Sequence, residues 1–361
     1  MEGERDAVSG ADPHRPVDVI HFGLGTVGRA ALRLCGTREW IRSVGAVTGG
    51  TSSVRVRTGE GEIPADLPLS TDPVFLLDRL QPEVALIATR SPIADVKDDI
   101  LRCVERGVSV VSSSEELAYP GVTDSEAAEQ IGEACLAGGA AVVATGINPG
   151  FVFDVLPVVI AGACWDVARV SVTRALDCSV FGQTIHRSLG VGYSPAGFEE
   201  ARRAGIIRGH IGFEESAMVI AEVLGRGLDD FEEDVQPLLA DRSYQLAEYV
   251  LSPGQTAGVV QEATGWVKGR PWLRFDLSLH VEPESVGIET HDHIRIEGEN
   301  TIDVTIRPGT QSILTTSARM VNSIPAVMSA APGLYTAAEL LPAAPWLGER
   351  LPPGARSRHQ V

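Results

Sequence analysis

The stretch "IHFGLGTVGR", Ile20 to Arg29, sets Gly23, Gly25 and Gly28 at G-x-G-x-x-G spacing. In a dinucleotide-binding turn the first two glycines let the backbone turn tightly and approach a pyrophosphate, and the third lets a helix pack close to a strand. Thr26 and Val27 would then present amide groups to the phosphates at the positive end of that helix. A second group lies in "SSSEELAYPG", Ser112 to Gly121, where Glu115 and Glu116 are adjacent. A carboxylate near a nicotinamide could orient an amine and take its proton, because an alkylammonium has no lone pair with which to form an iminium as hydride leaves. Two acids at a helix start, stabilised by its dipole, would look the same.

These residues need a frame, and the hydrophobic pattern supplies one. Val17 to Phe22 reads as a buried strand, and Val27, Ala30, Ala31 and Leu34 make an apolar helix stripe that stops at Gly36. Strands follow at "SVGAVT", "EVALIAT", "VSVVSSS" and "AAVVATG". Between them lie a helix opened by Asp72-Pro73, one striped by Val96, Ile100 and Val104, and one for which Thr123-x-x-Glu126 resembles a capping box. This alternation predicts a Rossmann domain, a doubly wound parallel sheet, over residues 17–147. Ligands bind such sheets at the carboxyl ends of the strands, where Thr48, Thr89, Arg90, Glu115 and Glu116 fall.

An NAD-selective site usually carries an acid at the end of the second strand, to bind the ribose hydroxyls. Here "VTGGTSSVRVR" has Thr48 instead, followed by Ser52, Ser53, Arg55 and Arg57. Hydroxyls and guanidinium groups suit a 2′-phosphate, so the expected cofactor is NADP, with NAD the alternative.

After Pro149 the texture changes. "VARVSVTRAL", "TAGVVQEATGWV", "LRFDLSLHVE", "DHIRIEGE" and "TIDVTIR" contain period-2 stretches, most of them without intervening helices. They predict a second, α+β domain on a mostly antiparallel sheet, with helical stretches between Pro195 and Tyr249 covering it or forming its cleft. From Thr315 the chain is again helical.

Composition narrows the function classes. A formal charge of −18 without a basic block argues against nucleic acid. The sequence contains no apolar run of the roughly 18 residues that cross a bilayer, and residues 1–16 have no apolar signal core. They read as a disordered tail on a cytoplasmic protein, with 346–361 a second tail. The five scattered cysteines, without C-x-x-C, suit reduced thiols. His291 and His293 alternate in a polar hairpin with no cysteine nearby, and no metal is expected. The two lysines, Lys97 on a helix face and Lys268 in a Gly-rich turn, leave little scope for Schiff-base chemistry.

The blocks "GLGTVG", "SSSEELAYP", "GINPGFVFDVLP", "GIIRGHIGFEES" and "MVNSIPAVMSAAPGL", in this order from about Val17 to Pro342, resemble the 2,4-diaminopentanoate dehydrogenase and native amine dehydrogenase group. That group belongs to the dihydrodipicolinate-reductase-like superfamily. The resemblance implies NAD(P)-dependent interconversion of a small amine with a carbonyl compound plus ammonia. It also implies a glutamate of the "EEL" block that handles the amine: Glu115, with Glu116 the alternative. Asn148 would sit near the nicotinamide, and Arg174 and His210 would line the substrate pocket within a domain spanning 148–314. From the residues alone, Arg174 could equally be a structural ion pair and His210 a turn cap. The last helix, in a segment spanning 315–345, would return to the nucleotide domain, and the chain length suits a homodimer. The chain lacks the signatures of dihydrodipicolinate reductase itself. "RPGTQSILTTSARM" is also less glycine- and acid-rich than the diaminopentanoate enzymes imply, which bears on the substrate more than on the reaction. Two other readings stay open: reduction of a preformed imine or a ketone, and a non-catalytic NADP-binding sensor.

Overall fold

The structure is a computed structural model and describes residues 15–49, 63–340, 343–351 and 355. In the first half, β1 (Val17–Phe22), α1 (Thr26–Cys35), β2 (Ile41–Val47), the short β3 (Leu69–Ser70), α2 (Pro73–Leu80) and β4 (Val84–Ile87) follow in order. Then come α3 (Ile93–Val104), β5 (Ser109–Ser112), α4 (Ser125–Gly138) and β6 (Ala141–Ala144). Every residue of β1, β4, β5 and β6 is buried, as strands covered on both faces must be. Helix α2 starts where proline fits the first turn and Asp72 accepts from the Phe75 amide at 3.1 Å. The cap of α4 is Asp124, whose carboxylate accepts from the Ala127 amide at 2.9 Å. The expected Thr123 capping box is therefore one residue out of register. Thr123 donates instead to Glu215 of the second domain, at 3.0 Å.

The second half contains α5 (Val155–Ala161), β7 (Arg169–Asp177), α6 (Gln183–Ser188), α7 (Pro195–Arg203) and α8 (Phe213–Val223). These are followed by β8 (Asp230–Leu239), the small pair β9 (Tyr244–Gln245) and β10 (Val250–Leu251), β11 (Thr256–Val267), β12 (Arg270–His280), β13 (His291–Glu297) and β14 (Ile302–Ile306). Six of these strands form one sheet in the order β14-β13-β7-β12-β11-β8. Its pairs are antiparallel except β7 with β12, which run parallel because the long excursion through α6, α7 and α8 separates them. Strand β8 lies inside the stretch expected to be helical. Its sequence "DFEEDVQPLL" carries a proline and four acids, composition that an edge strand tolerates and that hides its periodicity. On one face of the sheet, Val170, Val172, Phe275, Ile294 and Ile296 pack with Phe153, Phe198 and Phe213. The rings of Phe153 and Phe275 meet edge to face with centroids 4.9 Å apart.

The chain then returns. Helices α9 (Ser312–Asn322) and α10 (Ile324–Ser329) put Met320, Val321, Ile324 and Val327 into one core with Val17, Val19 and Ala31 of the first domain. Ser317 donates to the Val27 carbonyl at 3.1 Å, which fixes α9 beside α1. The three residues of β15 (Gly333–Tyr335) then pair parallel with β6. The first sheet thus has seven strands, β15-β6-β5-β4-β1-β2-β3, all parallel. A three-residue strand is too short to show a period, so the sequence pattern left it out.

Candidate active site

The turn between β1 and α1 is built by close approach. A Cβ on Gly28 would lie 2.0 Å from the Gly23 carbonyl oxygen, and one on Gly23, at φ +86°, would lie 2.6 Å from the Ala88 carbonyl oxygen. Around Gly25, by contrast, a Cβ would meet nothing within 4 Å. The helix start is pressed onto the strand while the backbone at Gly25 and Thr26 stays exposed, the arrangement that lets amide groups reach a phosphate. Thr89 lies against Gly23, and Arg90 beside it is exposed. Thr48 is buried at the end of β2 and lines a cavity of about 480 Å³ together with Gly23, Asp72 and Thr89. Its hydroxyl has no partner among the described residues, and neither has the buried Oδ1 of Asn148. A glycine cradle with two orphaned buried polar atoms at opposite ends fits a dinucleotide, whose ribose and carboxamide would satisfy them. Ser52 and Arg55 lie outside the described residues, as do Ser53 and Arg57.

The adjacent glutamates have different surroundings. Glu116 is buried and fully engaged: one carboxylate oxygen accepts from the Ile93 amide at the start of α3, at 3.0 Å. The other accepts from Arg208 of the second domain, also at 3.0 Å. Glu115 has a hydrogen bond from the Ser91 side chain and, among the described residues, no cation beside it. Burial pushes its carboxyl up to about 7, and the neighbouring Glu116 and Glu215 carboxylates add to the shift. Gly212, at φ +104°, passes so close that a Cβ there would lie 3.2 Å from the Glu115 Cβ and 2.5 Å from the Pro149 ring. Glu115, the Asn148-Pro149 segment and the turn before α8 therefore converge, at the mouth between the two domains.

His210 belongs to that same turn. Gln261 clamps its backbone from both sides, accepting from the His210 amide at 2.6 Å and donating to its carbonyl at 2.9 Å. The imidazole lies against Phe213 with ring centroids 5.4 Å apart, and its Nδ1 has no partner among the described residues. Burial, reinforced by the Arg174 charge, pushes its pKa down to about 4, so the ring is neutral at neutral pH.

Arg174 is placed differently. It is fully buried and paired with Asp292 at 2.5 Å. It also donates to the Thr310 hydroxyl at 2.7 Å, the Thr310 carbonyl at 2.8 Å and Ser312 at 3.2 Å. Thr310 and Ser312, with Thr26, Arg29, Asp177 and Phe181, line a cavity of about 570 Å³ between α1 and the second domain. Arg174 stands behind that wall and is not part of its lining. Ser91, Arg208, Glu215 and Gln261 were not singled out from the sequence, because isolated polar residues carry no periodic signal.

Among the described residues, no group of three or more His, Cys, Asp or Glu side chains could hold a metal ion. His293 pairs with Asp303 at 2.9 Å. No described helix is long and apolar enough to cross a membrane.

Comparison with known proteins bears on what this arrangement serves. Residues 151–350 match the family described as the 2,4-diaminopentanoate dehydrogenase C-terminal domain. A 2,4-diaminopentanoate dehydrogenase of Acetoanaerobium sticklandii is 30% identical over 330 residues, 90% of this chain and 93% of that protein. The chain belongs to the 2,4-diaminopentanoate dehydrogenase family. An amine dehydrogenase of Streptomyces virginiae is 24% identical over 358 residues, 92% of this chain and 98% of its own. The solved amine dehydrogenase of Mycobacterium smegmatis shares the fold with a TM-score of 0.78 at 21% identity, over 95% of this chain and 98% of that one. The family is one of NAD(P)-dependent oxidoreductases acting on CH–NH2 groups.

Proposed function

We propose that this chain is an amine or amino-acid dehydrogenase that oxidises a small amine to a carbonyl compound and ammonia, or runs the reverse amination, with Glu115 as its proton-handling group. The observation that supports this most directly is the half-buried Glu115 carboxyl, without a cation partner among the described residues and pushed up to about 7, where the two domains meet at Gly212. In deamination the Glu115 carboxylate takes a proton from the substrate ammonium, and the freed lone pair forms the C=N bond as hydride leaves carbon. The bound dinucleotide supplies the hydride acceptor. Water then adds to the iminium, and ammonia leaves as the carbonyl forms. Cys35, Cys103, Cys135 and Cys178 are buried thiols; burial raises Cys35, Cys135 and Cys178 to about 12 and raises Cys103 in the same direction, so none competes as a nucleophile.

Around Glu115, Asn148 holds the nicotinamide end through its unpaired carbonyl. His210, neutral and uncharged against Phe213, shapes the substrate side without competing for the proton. Ser91 holds Glu115 in orientation. The cofactor is NADP in preference to NAD, because Thr48 replaces the acid that would repel a 2′-phosphate. The working unit is a homodimer.

The experiment follows NADPH and NADH oxidation at 340 nm with ketones and aldehydes, including 2-amino-4-oxopentanoate, each with and without ammonium. Consumption that needs both carbonyl and ammonium is expected, faster with NADPH. Equal rates without ammonium would replace this reading by simple carbonyl reduction.

A further inference from the structure

At the end of the second domain remote from α1 lies a corner of opposite sign to the whole chain. Arg169, the first residue of β7, stands beside Trp272 of β12, one step from the Val170–Leu273 pair. The β11–β12 hairpin closes there through Lys268 and Gly269, both in the left-handed region at φ +51° and +69°. Such a two-residue turn favours Asn or Gly at its first position, and here it holds up a lysine. Arg270 follows the turn, and Arg226 arrives from the end of α8, its amide donating to the Ala221 carbonyl at 2.7 Å.

Arg169, Arg226, Lys268 and Arg270 line one cavity of about 640 Å³, with Trp272 and Pro271 as its walls. Among the described residues none of the four cations is in an ion pair. Glu297, the one carboxylate on the lining, accepts from Arg295 at 3.0 Å. Four exposed cations share this space with a single carboxylate, Glu297, which stands across from Arg169 in the sheet, in a chain of net charge −18 where acids are in excess. A second observation points the same way. Trp272 is 5% exposed, and its indole N–H is buried without an acceptor. A buried donor left unpaired in this way calls for a ligand or water that accepts from it.

We propose that this corner binds a compact, multiply charged phosphate anion. Guanidinium forks match phosphate oxygens two at a time, and the lysine adds a point charge. The indole N–H supplies one neutral donor, and the volume lies within the range of small-molecule sites. The site is separate from the active site: the nine residues of β7 put roughly 25 Å between Arg169 and the cavity that Asp177 lines.

The test is calorimetric titration of the full-length protein with inorganic pyrophosphate, with NADP+ and NAD+ present in excess so that the dinucleotide cleft is filled. Expected is saturable binding of one anion per chain that weakens as chloride is raised. R169Q/R270Q, two exposed substitutions, should weaken it at least about tenfold. W272F should weaken it a few-fold, and amine dehydrogenase activity of R169Q/R270Q should be unchanged. No saturable heat, an affinity unaffected by R169Q/R270Q, or tighter binding of citrate than of pyrophosphate would each overturn the proposal.

Discussion

Arg174 and Glu115 are both charged groups taken out of water within the second domain or at its edge, and the protein treats them in opposite ways. Around Arg174 the fold supplies a carboxylate, two hydroxyls and a carbonyl. Around Glu115 it supplies one serine and two further carboxylates, Glu116 and Glu215. Desolvating a charge is tolerable when partners replace the lost water, and otherwise the group shifts its pKa. The completely paired group ties Asp292 to Thr310 and Ser312. The unpaired one is raised to about 7, so that it exchanges its proton near neutrality, which is what a group that must take and return a proton requires.

The largest expected effect tests the unpaired side of this contrast. E115Q should lower kcat for deamination by about 10²–10⁴-fold, the usual contribution of a positioned general base, while dinucleotide affinity stays within a few-fold. The pH profile sharpens it. A base must be ionised, so kcat/KM for deamination should rise with pH through about 7, the value to which Glu115 is pushed. His210, pushed down to about 4, cannot supply that limb, so H210F should keep it. A limb that vanishes in H210F would assign the proton to the histidine instead.

Next in size is the paired side. R174M leaves the Asp292 carboxylate buried without its cation and should cost about 3–5 kcal/mol of stability, read by urea unfolding. R174M/D292N should recover much of that loss, because the stranded charge is gone. If R174M unfolds normally and loses only substrate affinity, Arg174 contacts substrate and the contrast fails.

How much of this was legible beforehand follows from the same physics. Strands β1, β4, β5 and β6 are short apolar runs between glycine-punctuated helices, and local pattern finds them because burial on both faces demands one kind of residue. The glycine turn was legible because close approach at Gly28 and Gly23 excludes any Cβ. Strand β8 was hidden by its acids and Pro237, and the Asp124 cap by a neighbouring threonine that fits the same motif. Glu115 and Glu116 could not be told apart, since what separates them is Ile93 and Arg208, one of them 92 residues away. Side-chain partners brought together by tertiary structure leave no spacing to read.

Proton linkage gives a smaller effect on Glu115. Its folded-state value lies above the ordinary 4.5, so the folded protein holds this proton more tightly than the unfolded chain does. The resulting stabilisation is complete below about pH 4.5 and is lost as pH rises through about 7. E115Q lacks that dependence. The stability of E115Q relative to the unsubstituted protein should therefore grow by up to about 2 kcal/mol between pH 4.5 and 8, discounted for partial exposure. A difference flat across this range would mean that Glu115 is solvated in solution.

The smallest effect belongs to Glu116, where the contrast is drawn between neighbours. E116Q keeps one carbonyl oxygen, which can accept from the Ile93 amide or from Arg208 but not from both with a full charge. The Arg208 side chain is 51% exposed, and pairs of that kind contribute little, so most of the loss comes from the helix start. A decrease of about 1 kcal/mol in unfolding free energy is expected, with kcat nearly unchanged. R208Q should show the same small loss, and E116Q/R208Q should fall short of the sum because the two residues share one bond. Turnover lost in E116Q as fully as in E115Q would show that the two glutamates act as one unit. The division between a bracing and a reacting carboxylate would then have to be given up.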